Sequence, residues 1–331
     1  MKSIVCFGEA LIDFLATPER AAEATPQFLQ HAGGAPANAA VAVAHLGGRS
    51  EFVGMLGADM FGDFLFEELR AAGVGTHYIE RTDEAKTALA FVALDAQGER
   101  SFSFYRPPAA DLLFRPEHFR EECFAEAGIF HVCSNSLTES QIAQATFDGM
   151  ARARAAGALV SIDLNLRAPL WPHGIDPLPR LWQALRAADL VKLAANELHY
   201  LAERDAGERA VLDELLKTAR VVVVTDGAAP VRWYTNAREG SLPGFAVQAI
   251  DTTAAGDAFV GGLLVQLIER DVNVARLDAL LRDEAAWEQV LRFATACGAL
   301  TVTRHGAFAS LPVRAEVEAL LVQPALQRAP G

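Results

Sequence analysis

Short apolar runs and longer stretches of helical spacing alternate along most of this chain. From residue 128 onward, strand-length runs at 129–133, 159–164, 190–193 and 221–225 are separated by helical patterns over 139–156, 178–188 and 196–203. Two further strands, 231–235 and 244–250, flank a polar hairpin, and a strongly apolar helix opens near residue 255. Helices over 284–301 and 313–321 follow, and the tail 323–331 is expected to be loosely held. The N-terminal part begins in the same way, with strands at 3–7 and 52–57 and a helix over 59–72. This alternation predicts an α/β fold: a doubly wound, mostly parallel sheet flanked by helices, with ligands at the C-terminal ends of its strands. Polar residues gather at such ends: Asp163, Asn165 and Arg167, then Lys192 and Glu197, then Thr225 and Asp251.

Between 76 and 106 the rhythm changes. Residues 87–95 form a continuous β-leaning run, 100–105 (RSFSFY) alternates with period two, and Ala96-Gln97-Gly98 joins them as a hairpin turn. A hairpin placed away from the later strand–helix units predicts a separate small sheet or lid. No internal repeat or flexible linker breaks the chain.

Composition narrows the class. With 331 residues, 51% hydrophobic and 21% charged, the chain can hold one large α/β domain with insertions or two ordinary domains. A net charge of −13 argues against nucleic acid or an anionic membrane as partner, while a local nest of amides can still hold a phosphorylated ligand. Cys6, Cys123, Cys133 and Cys297 show no CxxC spacing and fall in apolar runs, which predicts buried reduced thiols in a cytoplasmic protein. Glu9 and Asp13 interrupt the N-terminal apolar run, so it does not read as a signal peptide, and no uncharged stretch is long enough to span a bilayer.

The chemistry concentrates in residues 251–262, DTTAAGDAFVGG, which lead into the apolar helix. Ala254, Ala255 and Gly256 leave the first turn of that helix unguarded, so its unpaired N–H groups and dipole favour an anion such as a phosphate. Asp257 lies in the same turn, where a carboxylate would face what those groups hold. An anion cradle beside a proton acceptor is what phosphoryl transfer to an alcohol requires. The same residues also suit plain dipole capping and close packing. Asp13 is a lone carboxylate in the apolar segment 10–16, which is either paired or functional. Gly33-Gly34-Ala35-Pro36-Ala37-Asn38 is a glycine turn into a helix, with Asn38 able to meet a hydroxylated ligand or to face solvent.

Three stretches together resemble the PfkB, or ribokinase-like, family of carbohydrate kinases, most of all its fructokinases. They are Gly33 to Asn38 with Leu46-Gly47-Gly48 and residues 57–62; Asp163-Leu164-Asn165-Leu166-Arg167 with Leu170-Trp171; and residues 251–262. Residues 293–300 and Gly306-Ala307 are similar to the family's C-terminal region. The resemblance implies one ribokinase-like domain over 1–331, with a β-lid formed by 10–16 and 76–106, and ATP, Mg²⁺ and K⁺ as cofactors. It implies Asp257 as the catalytic base and the amides of Ala255, Gly256 and Asp257 as an anion hole. Asp13, Gly33, Gly34 and Asn38 match sugar-binding positions, with Arg106 and Arg167 near the sugar. Asn165 is placed near the γ-phosphate and metal, Lys192, Thr225 and Gly227 along the nucleotide, and Glu197 near Mg²⁺ through water. Asp251 and Thr253 match a loop that holds a monovalent cation. The partners implied are a small sugar and a nucleotide, with a homodimer through the lid as the assembly to consider.

Three positions depart from the family pattern. Ala254 and Pro230 stand where it has glycine, and Ala194 replaces a polar residue. A positive φ at 254 would strain the loop. D-Fructose is the favoured acceptor. The alternatives are 2-keto-3-deoxygluconate, whose carboxylate Arg106 and Arg167 could meet, and a non-catalytic sugar-binding or regulatory protein, against which the intact Asp257 speaks. A Rossmann dehydrogenase needs G-x-G-x-x-G after the first strand, and Gly8-Glu9-Ala10 does not supply it.

Overall fold

The computed structural model describes residues 2–16, 27–94, 100–204 and 206–322. The expected turn at 96–98 and the expected loose tail at 323–331 lie outside these residues. The chain opens with β1 (Ser3–Phe7), β2 (Leu11–Ala16), β3 (Phe28–Gly33), α1 (Ala35–His45), β4 (Ser50–Gly57) and α2 (Met60–Ala71). Next come β5 (Gly75–Thr82), β6 (Leu89–Leu94), β7 (Arg100–Tyr105), α3 (Glu121–Glu126), β8 (Ala127–Cys133) and α4 (Ser140–Ala155). The strand–helix part continues with β9 (Leu159–Asp163), α5 (Leu178–Arg186), β10 (Leu190–Ala194), α6 (Ala195–Ala202), α7 (Glu208–Leu215) and β11 (Val221–Thr225). Last are β12 (Val231–Tyr234), β13 (Glu239–Leu242), α8 (Ala255–Glu269), α9 (Val274–Arg282), α10 (Glu284–Thr301) and α11 (Arg314–Val322).

Among the described residues the large sheet has nine strands in the order β13-β12-β11-β10-β9-β8-β1-β4-β5, parallel from β11 through β5 and antiparallel at β12 and β13. Its central strands β1 and β8 to β11 are buried on both faces, as a covered parallel sheet requires. Ile4 and Cys6 of β1 enter one apolar core with α1, α8 and α10, while Val5 and Phe7 enter the other with α4 to α7. The chain builds from β1 outward to β4 and β5, then returns to β8 on the other side. That reversal between β1 and β8 is the topological switch point, where connections diverge and a crevice opens at the strand ends. A second sheet of four strands, β3-β2-β6-β7, stands apart from it.

Four sequence expectations change. Residues 75–82 belong to the large sheet, paired in parallel with β4, because Tyr78 and Ile79 reach opposite cores as a sheet buried on both faces demands. Within 76–106 only β6 and β7 join the small sheet, which also includes Phe28–Gly33, a strand that alternation could not reveal because Phe28 and Leu29 are exposed. Residues 244–250 form no strand: Pro243 lacks a ladder N–H, and Phe245, Val247 and Ala249 line a cavity instead. The helices α7 and α9 were not foreseen, both being short and amphipathic.

Helix α8 is apolar on nearly all sides because it is wedged between α1 and α10. A β-carbon at Gly261 would lie 2.5 Å from the Ala42 β-carbon, and one at Gly262 would lie 2.7 Å from Cys297 Sγ. These close approaches fix where the N-terminus of α8 points. All four cysteines are buried and unpaired.

Candidate active site

The N-terminus of α8 borders a cavity of about 720 Å³ that the small sheet overhangs. Ala254 leads into the helix at φ 59° and ψ 6°, the left-handed region. A residue with a β-carbon is disfavoured there by about 1–2 kcal/mol, so the strain foreseen for this position is present. The Ala255 N–H turns back to the Thr252 carbonyl at 3.4 Å, a long bond. The N–H groups of Gly256 and Asp257 follow in the first turn, where helix geometry supplies no acceptor. A β-carbon at Gly256 would lie 3.1 Å from Lys192 Nζ, so helix backbone and a buried ammonium border the same space.

Asp257 is held by two amides. Its Oδ2 accepts from Asn38 Nδ2 at 2.7 Å, and its Oδ1 accepts from Asn165 Nδ2 at 3.2 Å. Asn165 reaches it by turning the chain at φ 41° directly after β9, a conformation asparagine tolerates better than most residues. Burial and the Asp163 carboxylate push the Asp257 pKa up to about 6, against the pull of the Asn38 hydrogen bond, Lys192 and Arg167. Such a carboxylate is mostly ionised at neutral pH yet more basic than an exposed one, as a general base needs to be.

Behind it, Lys192 Nζ donates to both Asp163 oxygens at 3.0 and 2.9 Å. Burial opposes the ammonium, but Asp163 and Glu197 outweigh it and hold its pKa above the ordinary lysine range. Glu197 braces the loops on either side: its Oε1 accepts from the Leu166 N–H and its Oε2 from the Ala194 N–H, each at 2.7 Å. Ala194, which departs from the family's polar residue at this position, contributes its backbone N–H. Burial and Asp163 raise the Glu197 pKa, opposed by Lys192 and these two bonds.

At the end beneath the small sheet, Asp13 of β2 lines the cavity with Gly34, Asn38, Arg167 and Leu170. Burial and then Asp257 push the Asp13 pKa up to about 7, with Arg167 opposing. The other end is bounded by Thr225 at the end of β11, by Asp226 and Gly227 after it, and by apolar Phe245, Val247 and Ala299. Asp251 ties two loops together, its Oδ1 accepting from the Thr253 N–H at 2.8 Å and its Oδ2 from the Gly306 N–H at 3.2 Å.

The structure thus brings Asp13, Gly34, Asn38, Asn165, Arg167, Lys192, Glu197, Thr225, Gly227, Asp251, Thr253, Ala255, Gly256 and Asp257 to one cavity. Two expected residues are absent from its wall. Gly33 lies behind Asp13, where a β-carbon would fall 2.2 Å from Asp13 Oδ2. Arg106 is 2% exposed and turned away, its Nε and Nη2 both donating to Asp111 Oδ2 at 2.8 and 2.6 Å. Glu9, His31 and Asn135 are among the polar lining groups that had not been singled out, and Asp163, noted as a strand-end residue, supports the site through Lys192. Glu9 and Asn135 follow β1 and β8, so the strand-end rule would have found them, whereas His31 depended on the unforeseen β3.

Comparison with known proteins identifies the family and the fold. Residues 1–314 match the pfkB family carbohydrate kinases. Fructokinase-1 of Zea mays is 42% identical over 320 residues, 96% of this chain and 97% of its own. A fructokinase from Xylella fastidiosa, solved with bound ATP, is 56% identical with a TM-score of 0.93 over 96% of this chain and 98% of that one. A double mutant of the Vibrio cholerae O395 fructokinase, solved with fructose, ADP and potassium ion, is 32% identical with a TM-score of 0.84, covering 97% and 98%.

Proposed function

The chain belongs to the pfkB family of carbohydrate kinases, phosphotransferases acting on a sugar hydroxyl, and from that premise we propose that it is an ATP-dependent fructokinase. Its reaction would transfer the γ-phosphate of ATP to a primary hydroxyl of D-fructose. The observation that carries this is Asp257, clamped by Asn38 and Asn165 beside the open first-turn amides of α8, in a cavity also lined by Asp13, Gly34 and Arg167.

In this reading Asp13, Gly34 and Asn38 hold the sugar, and Asp257 accepts the proton of the attacking hydroxyl. The amides of Gly256 and Asp257, with Ala255 beside them, meet the charge on the transferring phosphoryl group. Losing one such donor costs about 10²–10³ in kcat in other enzymes. Lys192 faces the phosphates, and Thr225, Gly227 and the apolar wall hold the nucleoside.

A Mg²⁺ carried by the phosphates fits the donor set. Each Glu197 oxygen has accepted one N–H and keeps a second lone pair, which suits a water-mediated contact to a cation reluctant to shed its waters. Asn165 borders the same space. The metal would supply charge neutralisation between the phosphates. Asp251 and Thr253, in the loop that caps α8, are the residues for a monovalent cation such as K⁺. The small sheet is the lid, and its exposed edge residues Phe28, Leu29 and Tyr105 suit a homodimer contact, which sedimentation would test.

A keto-acid acceptor is the weaker alternative because Arg106 is spent on Asp111. That leaves Arg167 as the cation beside acidic Glu9, Asp13 and Asp257. An ATP-coupled assay over fructose, glucose, ribose and 2-keto-3-deoxygluconate decides the matter. Highest kcat/KM on fructose is expected, and a preference for the acid would overturn the assignment.

A further inference from the structure

We infer that Asp59 is a positioning residue for sugar binding: through Thr87 it fastens the small sheet over the cavity and fixes where Asp13 stands. The inference rests on the cavity being the sugar site proposed above. Residues 57–62 (GADMFG) carried part of the family resemblance, yet neither Asp59 nor Thr87 belongs to the cavity wall. Asp59 opens α2, its Oδ1 accepting from the Phe61 and Gly62 N–H groups at 3.1 and 2.9 Å. Those two bonds are ordinary helix capping. The others cross 28 residues to the chain that enters the small sheet: Oδ1 also accepts from Thr87 Oγ1 at 2.9 Å, and Oδ2 from the Thr87 N–H at 2.8 Å. Thr87 Oγ1 in turn accepts the Gly57 N–H at 3.2 Å.

The surroundings hold Thr87 closely. It is buried, and a β-carbon at Gly57 would lie 2.7 Å from its nitrogen, one at Gly62 3.0 Å from its hydroxyl oxygen. Phe61 of the same turn sets its ring edge-on to that of Phe14 in β2, with centroids 5.7 Å apart. From Thr87 the path to the site is short. The carbonyl of the next residue, Ala88, accepts the Ile12 N–H at 3.1 Å, and β6 then runs beside β2 with Leu89 opposite Ile12 and Ala90 opposite Asp13. Releasing Thr87 therefore frees the strand that flanks Asp13. The nucleotide end of the cavity stands on β11, toward the opposite side of the large sheet from β4 and α2.

An amide at position 59 keeps one acceptor for the cap and turns an NH₂ group on the Thr87 N–H. In the intact enzyme, Asp59→Asn should raise the KM for fructose about 10- to 100-fold and leave kcat and the KM for ATP within about 3-fold. Thr87→Val leaves the capping bonds in place, should shift the fructose KM in the same way, and serves if the asparagine variant does not fold. Thr87→Ser keeps the hydroxyl and should stay within about 3-fold of the wild type. As a control, Asn273→Ala removes the ordinary cap of α9 and should lower Tm with both KM values unchanged. Variants at 59 and 87 that lower Tm but leave the fructose KM alone would overturn the inference, reducing Asp59 to a cap. Equal rises in both KM values, or a Thr87→Ser as impaired as Thr87→Val, would overturn it too. A wild type that refuses fructose fails the fructokinase reading separately, and the same comparison is then made with the sugar of the panel that it does phosphorylate.

Discussion

Replacing Asp257 with asparagine removes the charge of the carboxylate and keeps its shape. General-base catalysis contributes about 10²–10⁴ in rate, so kcat should fall by that factor. Sugar affinity should change little, because Asp13, Gly34 and Asn38 remain in place. The effect on stability comes from two opposed contributions. Moving the Asp257 pKa from 3.8 to about 6 disfavours the folded state by roughly 3 kcal/mol at neutral pH, which the variant regains. Against this, Asn38 and Asn165 both donate to Asp257, and an amide offers them only one oxygen. One donor is left facing an NH₂ group, at a cost of about 1–3 kcal/mol. The net change is therefore about 0–2 kcal/mol of stabilisation.

The sign of the pH dependence follows from the raised pKa. Protonated Asp257 is favoured in the fold, so the wild type holds this contribution below pH 3.8 and loses it as pH rises through about 6. The uncharged amide of the variant has no such loss, so the Tm advantage of Asp257→Asn should grow across that window and level off above it. Wild-type kcat/KM should rise through the same window, extended upward by Asp13 near 7, and then plateau. Coupled-assay kinetics, calorimetric sugar titration without nucleotide, and melts at several pH values provide the three readouts. Turnover at the wild-type rate would refute the base assignment, and loss of sugar binding in step with kcat would refute the separation of roles.

The other predictions concern neighbours of this group. Arg106→Leu should lose about 3–5 kcal/mol by leaving Asp111 buried and uncompensated, and adding Asp111→Leu should recover most of it in denaturant melts. A double variant no more stable than the single one would show that the pair is not structural. Gly256→Ala places a methyl group 3.1 Å from Lys192 Nζ, so kcat should drop at least about 10-fold with an unchanged circular dichroism spectrum. Ala254→Gly should raise Tm slightly, the relief of about 1–2 kcal/mol being partly offset by glycine's backbone entropy. Ala254→Val should lower Tm, because β-branched residues tolerate φ 59° poorly.

Periodicity alone placed β1, β9, β10, β11 and the start of α8, because strands buried on both faces read as unbroken apolar runs and helices as spaced ones. The small residues before Asp257 likewise announced an open helix terminus beside a carboxylate. These are local properties, set by side-chain size and spacing along the chain. What local spacing could not settle was partnership. Whether 75–82 joined the large or the small sheet depended on β4, and β3 existed as a strand only through its pairing with β2. Asp111 stands five residues after Arg106, close enough for a surface ion pair to be read from the sequence, but only the fold shows that the pair is buried. Asn135 and Glu9, far apart along the chain, meet only in the fold, where Asn135 Nδ2 donates to Glu9 Oε1 at 2.8 Å. Hydrogen bonds and ion pairs between distant residues are decided by which atoms the fold brings within about 3 Å, and no single-chain pattern records that distance.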